Sequence, residues 1–205
     1  MDAQRGFDRL VNLSDAVVAI AATLLILPLV DTATELGKNE VASFFAEHWD
    51  QLFAFVLSFA VICRFWLIHH ALFNRLVGFT KPLLVANFVW MGSIAFLPFP
   101  TEFVAFAGVG NSLTTGLYVA TMCVAATSTT VVIWIAIRHP ELQAADGRGT
   151  LTIHEGAASV VAMLLALVIV LAFPAVGLWA LLLLFPAGIV GDRLARSARN
   201  RAAAA

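Results

Sequence analysis

The chain has 205 residues, of which 61% are hydrophobic and only 12% charged, and its mean hydropathy is +0.92. A water-soluble domain normally carries roughly a quarter charged residues, so water cannot be the main solvent here, and no separate soluble domain fits. The formal net charge of -1 comes without any basic tract that would serve nucleic acid, and the informative quantity becomes where the charges sit.

At about 20 apolar residues per crossing, apolar windows bounded by charges predict six transmembrane helices, near 10–30, 52–74, 82–101, 112–137, 155–173 and 176–191. The first window contains Ser14 and Asp15 within its apolar run, so it reads as a retained span rather than a cleaved signal peptide. The polar stretch from Asp31 to Asp50 places Val41, Phe44 and Phe45 at helical spacing, which predicts a short surface helix. Pro140 to Thr152 is the other true loop, and a Pro174–Gly177 turn makes the last two spans an antiparallel hairpin. Cys63 and Cys123 both fall in apolar stretches and read as small hydrophobes rather than a disulfide.

The basic residues set the orientation. With the N-terminus in the cytoplasm, Arg5, Arg9, Arg75, Lys81, Arg138, Arg148, Arg193, Arg196, Arg199 and Arg201 lie inside, Lys38 lies outside, and Arg64 falls within the second span. This asymmetry follows the positive-inside rule and supports an even number of spans with both termini cytoplasmic.

Ionisable groups at membrane depth are costly and usually face the protein interior or a water-filled path. Asp15, Arg64, His69 and His70 are the candidates. Counted along their helices at 1.5 Å per residue, Asp15, His70 and Asn87 all lie roughly 8–10 Å from the cytoplasmic boundary. That shared depth predicts a polar network in which Ser14 and Asp15 meet His69 or His70 and Asn87. It can serve as a lock between helices, or as a gating or proton-sensing element through the histidines. A metal site at His69 and His70 is not read, because adjacent helical residues point about 100° apart and neither Cys nor a second carboxylate stands beside them. His154-Glu155 reads as a helix-end pair.

The first span carries a second pattern. Ile20, Thr23, Leu27 and Asp31 share a narrow stripe, whereas Asp15 points about 140° away from Ile20. One face can therefore knit into its own subunit while the other packs as an ordinary helix face or meets copies of itself around an axis. Pro28 removes the hydrogen bond to the Leu24 carbonyl, which permits a bend near the outer end.

Arg9-Leu-Val-Asn-Leu-Ser14-Asp15, followed by Ala-Val-Val-Ala-Ile20-Ala-Ala-Thr23-Leu-Leu-Ile-Leu27-Pro28, closely resembles the Arg-x-x-x-Phe-Ser-Asp signature that opens the first helix of the transmembrane protein 175 family of potassium channels. Leu13 stands where that family usually has Phe. Ser58-Phe59, Trp66 and His69-His70 in the second span, and Leu97-Pro98-Phe99-Pro100-Thr101 in the third, extend the resemblance, which covers the chain in span number and spacing.

The resemblance implies an all-α integral membrane protein with six transmembrane helices per subunit. It also implies a homotetramer whose first helices line a central pore. It implies a potassium-permeable cation channel with K+ as the permeant ion, no cofactor, and the lipid bilayer as partner, in a bacterial plasma membrane. By position, Ile20 would form the hydrophobic constriction, Thr23 the polar ring beside it and Leu27 a second apolar ring. Arg9, Ser14 and Asp15 would belong to the structural network with Trp66, His69, His70 and Asn87. On a straight helix Arg9 lies about 120° from Asp15, so it requires a different partner. The alternative is a proton-conducting or proton-coupled transporter built on the Asp15, His69 and His70 layer. A membrane-embedded enzyme is disfavoured because no nucleophile–base pair or metal set shares one depth.

Overall fold

A computed structural model of the chain describes residues 2–34, 44, 45, 47–107, 111–145, 148, 149 and 151–173. These form α1 (Asp2–Leu24), α2 (Leu27–Thr34), α3 (Trp49–Phe73), α4 (Lys81–Phe96), α5 (Pro98–Ala107), α6 (Ser112–Arg138) and α7 (Ile153–Ala172), with a single 3-10 turn at Pro140–Leu142. There is no strand among the described residues. Among the described residues, four helical stretches are long and apolar enough to cross a bilayer: Gln4–Thr34, Trp49–Phe73, Lys81–Ala107 and Ser112–Arg138. A shorter apolar helix covers Gly156–Ala172. The sixth expected span (176–191), the hairpin turn before it, Lys38, Val41 and the C-terminal arginines lie outside the described residues.

Two of these spans differ in detail from a simple apolar window. The first begins well before its apolar run, at Asp2, so Arg5, Asp8 and Arg9 ride on the helix itself. It is interrupted at Leu25–Ile26, just before Pro28, where the Ile26 amide turns back to the Thr23 carbonyl at 3.4 Å. The helix then resumes, because proline is well tolerated in a first turn where its missing N–H would have no partner. The third span does not stop at the Leu97–Thr101 proline cluster. It pauses at Leu97 and continues as α5 to Ala107, with Pro98 and Pro100 again in a first turn.

Helix ends are capped by the residues the chain supplies. Thr80 Oγ1 accepts the Leu83 amide ahead of α4, and Asn111 Oδ1 accepts the amides of Leu113 and Thr114 ahead of α6. Within the bilayer a hydroxyl also needs an internal partner. Thr121, Thr129 and Thr130 of α6 satisfy theirs by donating one turn back, to the carbonyls of Leu117, Ala125 and Ala126.

α6 is the hub of the described bundle. It packs against α7 and α4 above all, and 61% of its most apolar window is buried, against 28% for the first span. One core, around Trp90, Ile94, Tyr118, Met122 and Met163, fills the middle of the bundle. A second, around Phe7, Phe73, Leu76, Leu83, Ile133 and Leu151, closes one end, where Phe7 of α1 stacks on Phe73 of α3 at 6.0 Å. The start of α1, the end of α3, the start of α4, the end of α6 and the start of α7 therefore share that end. It carries Arg5, Arg9, Arg75, Lys81, Arg138 and Arg148.

Two loops are clasped together at this basic end. The Val77 amide donates to the Leu142 carbonyl at 2.8 Å, and the Ala144 amide to the Arg75 carbonyl at 2.9 Å. Gln143, buried between them, donates to the Ala136 carbonyl at 2.6 Å and accepts the Gly149 amide at 3.0 Å. Gly149, at φ 76°, occupies a left-handed conformation that suits a residue without Cβ.

Candidate functional site: a two-faced first helix

α1 is docked along one face and bare along the other. On the docked face, Phe7, Leu10, Ser14, Val18, Ala21 and Leu25 are buried, the i, i+3, i+4 rhythm of a helix seam. On the bare face, Asn12, Ala16, Ala19, Ile20 and Thr23 are exposed, and Leu27 and Asp31 of α2 continue that face. Ile20 is 59% exposed and Leu27 49%. Because the helix breaks at Leu25–Ile26, the phase of Leu27 is set by α2 rather than by the rhythm of α1; it is nonetheless bare.

The docked face is pinned by two separate polar contacts. In the first, Asn87 of α4 donates through Nδ2 to Ser14 Oγ at 3.0 Å, and Ser14 Oγ lies 3.0 Å from the Leu10 carbonyl, to which it donates. With its amide nitrogen so engaged, Asn87 uses Oδ1 as an acceptor, and His69 Nε2 sits 2.8 Å from it. His69 Nε2 is therefore the protonated nitrogen, a tautomer assigned from the network. The His69 ring lies between Phe73 and Trp90, at centroid distances of 4.1 and 3.9 Å, with both pairs near parallel. Ser14, His69 and Asn87 are all buried.

In the second contact, Trp66 of α3 donates through Nε1 to Asp15 Oδ1 at 2.8 Å, and the Trp66 ring stacks on His70 at 5.2 Å. The structure thus divides a network that the sequence left open: Asn87 takes His69, and Asp15 takes Trp66. Nδ1 of His70 and Nε1 of Trp90 are buried without a hydrogen-bond partner among the described residues. Arg9 is exposed on the bare side of α1.

The bare face is chemically mixed. Thr23 Oγ1 donates to the Ile20 carbonyl at 2.8 Å. Its one proton is thereby turned back onto the helix, and the oxygen lone pairs are free to face outward. Asn12, Thr23 and Asp31 stand on the same side as Ile20 and Leu27, interleaved with the small residues Ala16 and Ala19. A surface presented only to lipid would be uniformly apolar at this depth.

Sequence reasoning missed three groups. Thr101, Ser58 and Tyr118 form a buried hydroxyl cluster, with Ser58 Oγ 3.1 Å from Tyr118 Oη and 2.9 Å from Thr101 Oγ1. A signal existed: this is the one tyrosine of the chain, and a buried phenol seeks a partner. Glu102 of α5 stands close enough to Asp31 for the two charges to interact, which adds a second carboxylate at the end opposite the arginines. Gln143, the loop clasp, had no periodic pattern to mark it.

The chain is similar to several described proteins. The model of the family described as endosomal/lysosomal potassium channel TMEM175 matches residues 9–98, the stretch from Arg9 through both polar contacts to Pro98. A potassium channel of Streptomyces collinus is 33% identical over 92 residues, covering 45% of this chain and 44% of that protein. A potassium channel of Chamaesiphon minutus is 31% identical over 98 residues, or 47% and 48%. The endosomal/lysosomal proton channel TMEM175 of Danio rerio is 26% identical over 134 residues, or 65% of this chain and 26% of that one. The chain thus spans about half the length of the bacterial relatives it matches. In three dimensions, the crystal structure of a lysosomal potassium-selective channel TMEM175 homologue from Chamaesiphon minutus superposes with a TM-score of 0.64 at 21% identity, covering 94% of this chain and 99% of that one. Residues 9–98 thus resemble the TMEM175 family, and the fold that carries them is similar to that of the Chamaesiphon minutus homologue.

Proposed function

We propose that the protein is a potassium-permeable cation channel in which four copies bring the bare face of α1 to a common axis. The single observation that carries this reading is the two-sidedness of α1. Ser14 and Asp15 fasten one face to α3 and α4, while Ile20, Thr23 and Leu27 stand unpartnered on the other within the described protomer. Ala16 and Ala19 on that face let backbones approach closely, as helix packing in lipid favours. Two of the relatives are named potassium channels, which is the ground for choosing the ion. The basic end would face the cytoplasm of a bacterial plasma membrane, with Asp31 and Glu102 at the outer mouth raising the local concentration of cations.

In this arrangement Ile20 forms an apolar ring that passes ions only when wetted, and Leu27 forms a second ring further out. Thr23 lies between them. Its back-donated proton leaves only acceptor lone pairs toward the axis, so a ring of four would offer oxygen to a partly dehydrated cation and nothing to an anion. Neutral hydroxyls are weak ligands, and the preference for potassium over sodium is expected to be modest. Ser14, Asp15, Trp66, His69, His70 and Asn87 then hold the lining helix rather than touch the ion, and Arg9 stands apart from them on the bare side.

The test is ion flux into liposomes containing the purified protein. Potassium should enter faster than sodium, and Ile20→Asn or Leu27→Ala should raise basal flux or loosen selectivity. Unchanged flux in both variants would remove these residues from the pore. The Danio rerio relative is named a proton channel, so the same liposomes should be read with an internal pH dye. A proton flux that persists without potassium movement would favour the alternative built on Asp15 and the histidines.

A further inference from the structure

A groove of about 810 Å³ runs along the outer surface between α4 and α6. Its floor is made of Ala86, Cys123, Ser128 and Ile135, and its walls include Val85, Val89, Val124, Val131 and Trp134. On α4 its residues recur at 81–82, 85–86 and 89, and on α6 at 123–124, 127–128, 131 and 134–135. Each set is one helix stripe. The side chains of Asn87 and Val89 point about 160° apart around α4. Asn87 faces α1, so the groove opens on the far side of α4 from the first helix.

Three properties select the occupant. The first is chemistry: apart from Lys81, two hydroxyl residues and the Cys123 thiol, the lining is hydrocarbon and aromatic. The second is depth. Lys81 to Val89 spans about 12 Å and Ile135 back to Cys123 about 18 Å at 1.5 Å per residue, which brackets the roughly 15 Å of one leaflet of a bilayer whose hydrocarbon core is about 30 Å thick. The third is charge at one end only. Lys81 stands exposed at the mouth, and the Arg138 guanidinium lies 4.1 Å over the Trp134 ring that walls the groove. The nearby Glu141 carboxylate is already engaged by His139 Nδ1 at 2.8 Å. Basic pockets between transmembrane helices at the headgroup plane attract anionic lipid headgroups, and tryptophan favours that same plane.

We propose that this groove is a specific site for an anionic phospholipid of the leaflet at the basic end, one acyl chain lying between α4 and α6 and the phosphate held by Lys81 and Arg138. The lipid would brace α4, the helix that carries Asn87, against α6.

The test is quenching of tryptophan fluorescence by brominated lipid. The protein is reconstituted in phosphatidylcholine and titrated with brominated phosphatidylglycerol or brominated phosphatidylcholine, and the Trp134 component is taken as the difference between wild type and Trp134→Phe. Phosphatidylglycerol should quench Trp134 at a mole fraction about fivefold lower than phosphatidylcholine, and Lys81→Gln should bring the two curves together. Should Trp134→Phe fail to fold, the preference for phosphatidylglycerol in total fluorescence must still shrink in Lys81→Gln, whose exposed side chain supports no packing. Coincident curves in the wild type would overturn the proposal. So would a Trp134 shielded from both lipids, which would place a protein segment or a second copy in the groove.

Discussion

Asp15 shows how one carboxyl can be useful at membrane depth without being charged for its own sake. Trp66 Nε1 is a single donor aimed at a single oxygen of it, and an amide oxygen would accept that bond equally well. Asp15→Asn should therefore unfold close to the wild type in detergent, whereas Asp15→Ala orphans a tryptophan N–H and should cost about 1–3 kcal/mol; thermal melts of the two purified variants decide it. Equal losses in both would mean that the charge, not the hydrogen bond, is what α1 uses. Asn87 is the more exacting position. It satisfies Ser14 and His69 at once, with its two amide ends in fixed roles. Asn87→Leu should destabilise more than Trp66→Phe in the same melts, because it removes two hydrogen bonds to buried partners, Ser14 and His69, where Trp66→Phe removes one to the half-buried Asp15.

Helix contacts carry the next level of the fold, and the α6–α7 seam is the tightest. A Cβ added to Gly156 would lie 3.0 Å from Thr130 Cα and 2.5 Å from its Oγ1. Alanine in place of a helical glycine ordinarily gains at most about 0.5–1 kcal/mol, and less near a helix start such as this one, but the obstacle here includes backbone, which cannot rotate aside, and overpacking typically costs about 1–3 kcal/mol. The contact wins, so Gly156→Ala should lower the melting temperature, and an unchanged or raised value would mean that α7 can slide away from α6.

The helices themselves were legible because hydropathy and charge boundaries report directly on the cost of burying polar groups in lipid. Their interruptions were less so. Pro28 and Pro98–Pro100 mark a disturbance, yet proline both breaks a helix behind it and starts one ahead. A single sequence does not say which, and α5 continues the third span where the proline cluster read as its end. The polar layer was legible as a shared depth, but its wiring depended on which way each helix is rotated. That rotation is fixed by packing, here by the Phe73–His69–Trp90 stack.

For the whole molecule, the described protomer has a buried hub in α6 and a first span that is the least buried of the four. Asn12, Ala16, Ile20, Thr23 and Leu27 line up on a side that nothing among the described residues covers, and the proposed assembly around that side would cover it. Cysteine placed on this face gives the sharpest discrimination. Potassium flux should be measured in liposomes bearing Ile20→Cys, Thr23→Cys or Leu27→Cys, before and after a small charged thiol reagent, with Val161→Cys on the exposed face of α7 as control. If α1 lines the ion path, the reagent should block flux in the three α1 variants and leave the control and the wild type, with its native Cys63 and Cys123, unaffected. Flux that continues undiminished through all three labelled variants would contradict the account.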